Sequence, residues 1–187
     1  MTAETKRGAL VLVMGPSGAG KDTLIDYARA HLGATDCFVF VRRAITRPAS
    51  SGEDHEPVSA QAFRRRVASG GFALSWQAHG LSYGVPAAID DWLRAGKTVI
   101  ANASRTILGE ARRRYPGLLI VHVTAPPEIL ARRLTGRGRE SEAARQKRLA
   151  RGDLRRIAGR DVLSIENAGE LAAAGEALVN ALRRTQS

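Results

Sequence analysis

The chain has 187 residues, 44% hydrophobic and 25% charged, enough for one domain with its own core and unlike a disordered or collagen-like chain. Basic residues number 29 against 18 acidic, a formal charge of +11, and all but four of the basic residues are arginine, so an anionic ligand is expected. No apolar run approaches the roughly 20 residues of a membrane span, no signal peptide is visible, and the single cysteine excludes an intrachain disulfide; a cytoplasmic protein is expected, with Cys37 a small buried hydrophobe in a strand.

Residues 9–14 are a continuous apolar run, as in a strand buried on both faces of a parallel sheet. A glycine-rich turn follows, and residues 21–32 then place Leu24, Ile25, Ala28 and Leu32 at helical spacing with Gly33 as the stop. Further strands are expected at 37–41, 72–76, 98–101, 118–123 and 162–165, with helical patterns between most of them. Surface loops are expected at 46–59, 79–86 and 135–142, and an amphipathic closing helix at 168–184. Strand and helix alternate, which predicts a three-layer α/β fold around a parallel sheet in a single domain, residues 1–187.

The turn after the first strand reads Gly15-Pro-Ser17-Gly18-Ala19-Gly20-Lys21. Glycines there let backbone N–H groups curl inward, the helix start aims its positive end at the same point, and Lys21 adds a full charge. A polyphosphate with Mg²⁺ is the expected ligand. The hydroxyl residue that usually follows the lysine is replaced by Asp22, with Thr23 behind it. Thr23 is assigned to the nucleotide phosphates, and Asp22 and Thr23 are the metal-ligand candidates. Asp22 is equally compatible with an acid favoured by the helix dipole.

Three blocks then carry a resemblance over nearly the whole chain: residues 14–24; Ile45-Thr-Arg47-Pro with Gly52-Glu53 and Gly80-Leu-Ser-Tyr83-Gly84; and Ala125-Pro-Pro-Glu128 with Arg133-Leu-Thr-Gly-Arg137-Gly-Arg139 and Lys147-Arg148-Leu149. They resemble the guanylate kinase branch of the P-loop nucleoside-monophosphate kinases. The resemblance implies a P-loop kinase fold with core 1–42 and 87–187, an acceptor-binding insertion at 43–86, and a helical lid at about 135–150. It further implies that Arg137 and Arg148 stand over the transferring phosphoryl group as catalytic partners of Lys21, a role also open to a solvated basic face.

The acceptor half departs from guanylate kinases. Ser75 stands where they carry a guanine-reading Glu, Arg47 and Ser50 where they carry an arginine pair, and Asn102-Ala-Ser104 where they carry Asp-x-Asp. A site without that carboxylate leaves guanine's donors unpaired, at about 1–3 kcal/mol each. These replacements resemble instead the ribose 1,5-bisphosphate phosphokinases, a related family. That resemblance implies transfer of the ATP γ-phosphoryl group to ribose 1,5-bisphosphate, giving 5-phosphoribosyl 1-diphosphate. Arg43, Arg47 and Arg105 are then the acceptor-phosphate candidates, and Ser75, Tyr83 and Asn102 the hydrogen-bond partners. Whether one of Arg42 and Arg43 merely faces solvent, and whether Trp76 is core or ligand, is left open. The alternatives are a nucleoside-monophosphate kinase of the same branch and a non-catalytic binding module. The expected partners are the phosphorylated sugar and ATP, with neither nucleic acid nor membrane, since the basic residues are scattered and no recognition module is evident; a homodimer is compatible.

Overall fold

The chain folds around one apolar strand, β1 (Leu10–Met14), every residue of which is buried. The computed structural model describes residues 7–49, 54–135 and 156–186. Because side chains alternate along a strand, β1 feeds two cores: Leu10, Leu12 and Met14 enter one, and Val11 and Val13 the other. The polypeptide leaves β1 through the glycine turn into α1 (Lys21–Leu32) and returns as β2 (Phe38–Phe40). Later passes supply β7 (Thr98–Asn102), β8 (Leu119–Thr124) and β9 (Val162–Glu166), so that the main sheet has the order β2-β7-β1-β8-β9, parallel throughout.

One face of this sheet is covered by α1, α5 (Pro127–Thr135) and α6 (Leu171–Arg184), whose Leu24, Ala28, Leu130, Leu178 and Leu182 meet Val11, Val13, Val121 and Val123. The other is covered by α3 (Ile89–Arg94), α4 (Leu108–Arg114) and a second sheet. That sheet consists of β3 (Arg43–Ile45), β4 (His55–Pro57), β5 (Phe72–Ala78) and β6 (Leu81–Pro86), in the order β4-β3-β6-β5, with α2 (Ala60–Ala68) between β4 and β5 in sequence. Ala73, Leu74, Trp76 and Val85 seal it against Ile89, Leu93 and Ile107. The fold is therefore α/β with a parallel core sheet, as expected.

Several local expectations are corrected. The 79–86 segment, expected as a loop, is β6: Ala78 pairs with Leu81, leaving His79 and Gly80 as a two-residue turn with both residues at positive φ (53° and 75°), as the favoured hairpin turn requires. The 46–59 loop contains β4, which adds in parallel to β3. Cys37 is exposed and precedes β2 rather than lying buried in it. Its neighbour Phe38 takes the first position in register with Thr98.

Candidate active site

At the C-terminal ends of β1, β7 and β8 the strand order reverses, which in an open parallel sheet leaves a crevice for a ligand. The glycine turn occupies it. Gly15 has φ 149°, and a Cβ there would run into the carbonyl oxygen of Val123 on the adjacent β8, so only glycine lets the loop lie this close to the sheet. Gly20 caps α1 in the left-handed conformation, φ 85°, with the amide of Asn167 filling the place its side chain would take. Ser17, Gly18 and the fully buried Ala19 complete the arch.

Lys21 folds back over this arch, its Nζ donating to the carbonyl oxygens of Gly15 (2.8 Å) and Pro16 (3.0 Å). Beside it, Asn102 Nδ2 at the end of β7 donates to Asp22 Oδ1 at 2.6 Å. Asn102 thus meets the phosphate loop, whereas the resemblance had implied a contact with the acceptor. Thr23 lines a cavity of about 430 Å³ with Gly18, Gly20, Arg133, Asn167, Gly169 and Leu171, and Arg133 Nη1 reaches the Gly18 carbonyl at 3.5 Å. Asp22 and Thr23 offer the hard oxygen atoms that Mg²⁺ takes alongside substrate phosphates, and the amide grip on Asp22 Oδ1 fixes one carboxylate oxygen. The donor set fits that ion.

Asn167 escaped the sequence reading. It sits 4% exposed in the turn between β9 and α6. Its Nδ2 donates to the Ala19 carbonyl (2.8 Å) and its backbone N–H to that of Thr124 (2.7 Å), riveting the phosphate loop to the sheet. No spacing rule links residues 148 apart. His122 also escaped, although a lone histidine within residues 118–123 was a usable signal. It is 1% exposed on β8, paired in register with Met14, and neither ring nitrogen has a hydrogen-bond partner among the described residues. Burial, then the charges of Arg105, Arg156 and Lys21, hold its pKa below the usual histidine value, so the ring is neutral. Cations from the phosphate loop, from the turn after β7 and from the segment before β9 therefore bear on one point beneath the crevice.

The second sheet supplies the opposite wall. Arg43, on β3, is 9% exposed, with its guanidinium carbon 5.6 Å from the ring centroid of Tyr83 and 5.9 Å from that of Trp76. The two rings are stacked, 5.4 Å apart and 4° from parallel. Of the neighbouring arginines, Arg42 is the one that turns outward, paired with Asp54 at 2.7 Å. Arg47 follows β3, its carbonyl oxygen 3.3 Å from Nε2 of the buried His55. Ser75 is not brought to this wall. Strand alternation places it on the opposite face of β5 from Leu74 and Trp76, where it borders a cavity with Phe63, Val67 and Gln77. Arg137 and Arg148, like Ser50 and Gly52-Glu53, lie outside the described residues.

Residues 11–151 match the family described as AAA domain. The chain is 46% identical over 183 residues to the ribose 1,5-bisphosphate phosphokinase PhnN of Brucella melitensis biotype 2, covering 97% of this chain and 95% of that protein. It is 56% identical over 146 residues to the ribose 1,5-bisphosphate phosphokinase PhnN of Acidiphilium cryptum, 78% of each chain. Among solved structures it is similar to guanylate kinase from Anaplasma phagocytophilum, with a TM-score of 0.71, 19% identity, and coverage of 97% of this chain and 88% of that one. The last likeness concerns the fold.

Proposed function

The chain belongs to the ribose 1,5-bisphosphate phosphokinase family, and from that premise we propose how it performs the reaction: the γ-phosphoryl group of ATP passes to the 1-phosphate of ribose 1,5-bisphosphate, releasing ADP and 5-phosphoribosyl 1-diphosphate. The observation that carries this reading is the pairing of a complete phosphate arch with a wall built from Arg43, Trp76 and Tyr83. The arch suits a triphosphate of any nucleoside. The wall offers a cation and aromatic faces where a guanine-reading enzyme needs a carboxylate.

An oxygen of the acceptor's 1-phosphate attacks the γ-phosphorus; the bond from that phosphorus to the β–γ bridging oxygen breaks, and its electron pair leaves with ADP. The attacking oxygen is anionic at neutral pH, so no side chain need remove a proton. What the protein supplies is alignment and positive charge, since phosphoryl transfer has a loose transition state with charge spread over the equatorial oxygens. Lys21 exchanges the Gly15 and Pro16 carbonyls for the β- and γ-phosphates. The N–H groups of Ser17, Gly18 and Gly20 and the start of α1 hold the β-phosphate. Asp22 and Thr23 would hold Mg²⁺, which would supply positive charge to the phosphates when bound. Arg43, Arg47 and Arg105 hold the two acceptor phosphates, Tyr83 lies along the sugar, and Arg137 and Arg148 close over the γ-phosphoryl group from a lid at about 135–150. The insertion 43–86 and the core bring the two substrates together.

A coupled ADP-release assay with ribose 1,5-bisphosphate, GMP, AMP and dTMP tests the assignment. The bisphosphate is expected to be turned over fastest, and faster turnover of GMP overturns it. Lys21→Ala should lower kcat by roughly two to three orders of magnitude with an unchanged circular dichroism spectrum; near-normal turnover would refute the role given to Lys21.

A further inference from the structure

We propose that His122 holds the reacting phosphate of the acceptor: one ring N–H, at the floor of the crevice, donates to an oxygen of the 1-phosphate where that group meets the γ-phosphoryl group. This rests on the reading of the acceptor as ribose 1,5-bisphosphate.

The face of the sheet decides which half of the crevice the ring belongs to. Side chains alternate along β8, and Val121 and Val123 enter the core under α1 and α6, whereas Ile120 enters the core shared with the second sheet. His122 therefore lies on the acceptor side. Its partner in register is Met14, the last residue of β1 and the one before the phosphate arch. The imidazole thus stands at the joint between the donor and acceptor halves.

Cations from three parts of the chain bear on that ring: Arg105, Arg156 and Lys21. Arg105 lies two residues before Ile107 and Arg156 next to Ile157, and both of these isoleucines are buried in the core of the acceptor side. Lys21 comes from the arch. The ring itself is 1% exposed, and neither nitrogen has a partner among the described residues, although buried polar groups are nearly always hydrogen-bonded. Histidine is also a common metal ligand, but neighbouring positive charges oppose a metal ion and favour an anion.

An anion drawn among those charges comes within reach of Lys21, which in the reaction holds the β- and γ-phosphates. The attacking 1-phosphate has to be there, and not the 5-phosphate at the other end of the sugar. A neutral imidazole carries one N–H and adds direction where the cations add charge. A hydrogen bond to one oxygen limits rotation of the phosphate about its ester bond and turns another oxygen toward the γ-phosphorus.

Steady-state kinetics on His122→Leu, His122→Gln and His122→Asn, with melting temperatures measured alongside, tests this. The two amides place an N–H near the positions of ring Nε2 and Nδ1. His122→Leu is expected to lower kcat/KM for the bisphosphate about tenfold while the KM for ATP stays within about twofold, and one of the amides is expected to restore most of the loss. A raised KM for ATP in place of the loss with the bisphosphate, or no change in either, refutes the role, as do amide variants no better than the leucine. On the unaltered enzyme, with histidine rings labelled with nitrogen-15, the N–H resonance of His122 is expected to move when ribose 1,5-bisphosphate is added without nucleotide. A resonance that stays in place at saturation refutes the contact even if no variant folds. If the parent enzyme does not turn over the bisphosphate, the functional reading itself has failed; if it does, and the leucine variant matches it, only the role of His122 falls.

Discussion

The hydrogen bond from Asn102 to Asp22 joins the end of β7 to the first turn of α1, so the orientation of the one carboxylate in the phosphate loop depends on a residue 80 positions away. Partners that orient a ligating carboxylate are typically worth about 10–100-fold in metal affinity. Asn102→Ala should therefore raise the Mg²⁺ concentration that half-maximally tightens ATP binding by about tenfold, measured by calorimetry without acceptor, while binding of metal-free ATP changes little. An unchanged Mg²⁺ requirement would show that Asp22 needs no such grip. The residues from Gly15 to Thr23 were legible in the sequence because their chemistry is local: consecutive backbone groups and one lysine make the cradle. Asn102 was legible as important but not in its role, since its partner is set by strand pairing. Asn167 was not legible at all, because a turn between β9 and α6 becomes a phosphate-loop support only once β8 and β9 are paired.

Among the elements, α6 is the long helix that covers α1, and the contact is close: a Cβ on Gly175 would strike the ring of Tyr27, whose hydroxyl donates to Glu176 Oε1 at 2.8 Å. Leu178, fully buried in the middle of that face, is expected to contribute heavily. Leu178→Ala should cost about 2–5 kcal/mol, read as a lower urea midpoint with an unchanged m-value; a loss below about 1 kcal/mol would mean that the α1–α6 seam can collapse around the gap. Helices such as α1 and α6 announce themselves through periodicity, and β1 through an unbroken apolar run. The second sheet did not, for a physical reason: β3 and β4 have three residues each and carry Arg43 and Glu56, β6 carries Gly84 and Pro86, and the three owe their existence to one another. Strands stabilised by cross-strand partners leave little trace in a single-sequence pattern. Ser75 shows the same limit, because the bulge between Phe72 and Leu74 settles which face each β5 residue presents.

On the scale of the whole molecule, acid response follows from His122. A histidine whose folded-state pKa is depressed binds its proton more readily when unfolded, so stability is complete above the ordinary value near 6.5 and falls as pH drops through it toward the folded value. The charges that face the ring are those of Arg105, Arg156 and Lys21. The Asp161 carboxyl, held below its usual range by Arg112, acts only below about pH 4. His122→Leu should thus flatten the dependence of the urea midpoint on pH between about 7 and 5 without loss at neutral pH, since it replaces two unsatisfied buried nitrogens by an apolar side chain. A variant that kept the parental slope would assign the acid response elsewhere. The exposed Cys37 has a practical corollary. It precedes β2 at the N-terminal edge of the parallel sheet, whereas the phosphate arch crowns the C-terminal edge, about 16 Å away along a five-residue strand. Being the sole thiol of the chain, it accepts a maleimide dye at a single, known place remote from both substrates, so fluorescence anisotropy or energy-transfer measurements of nucleotide and sugar binding can be made on otherwise unaltered enzyme.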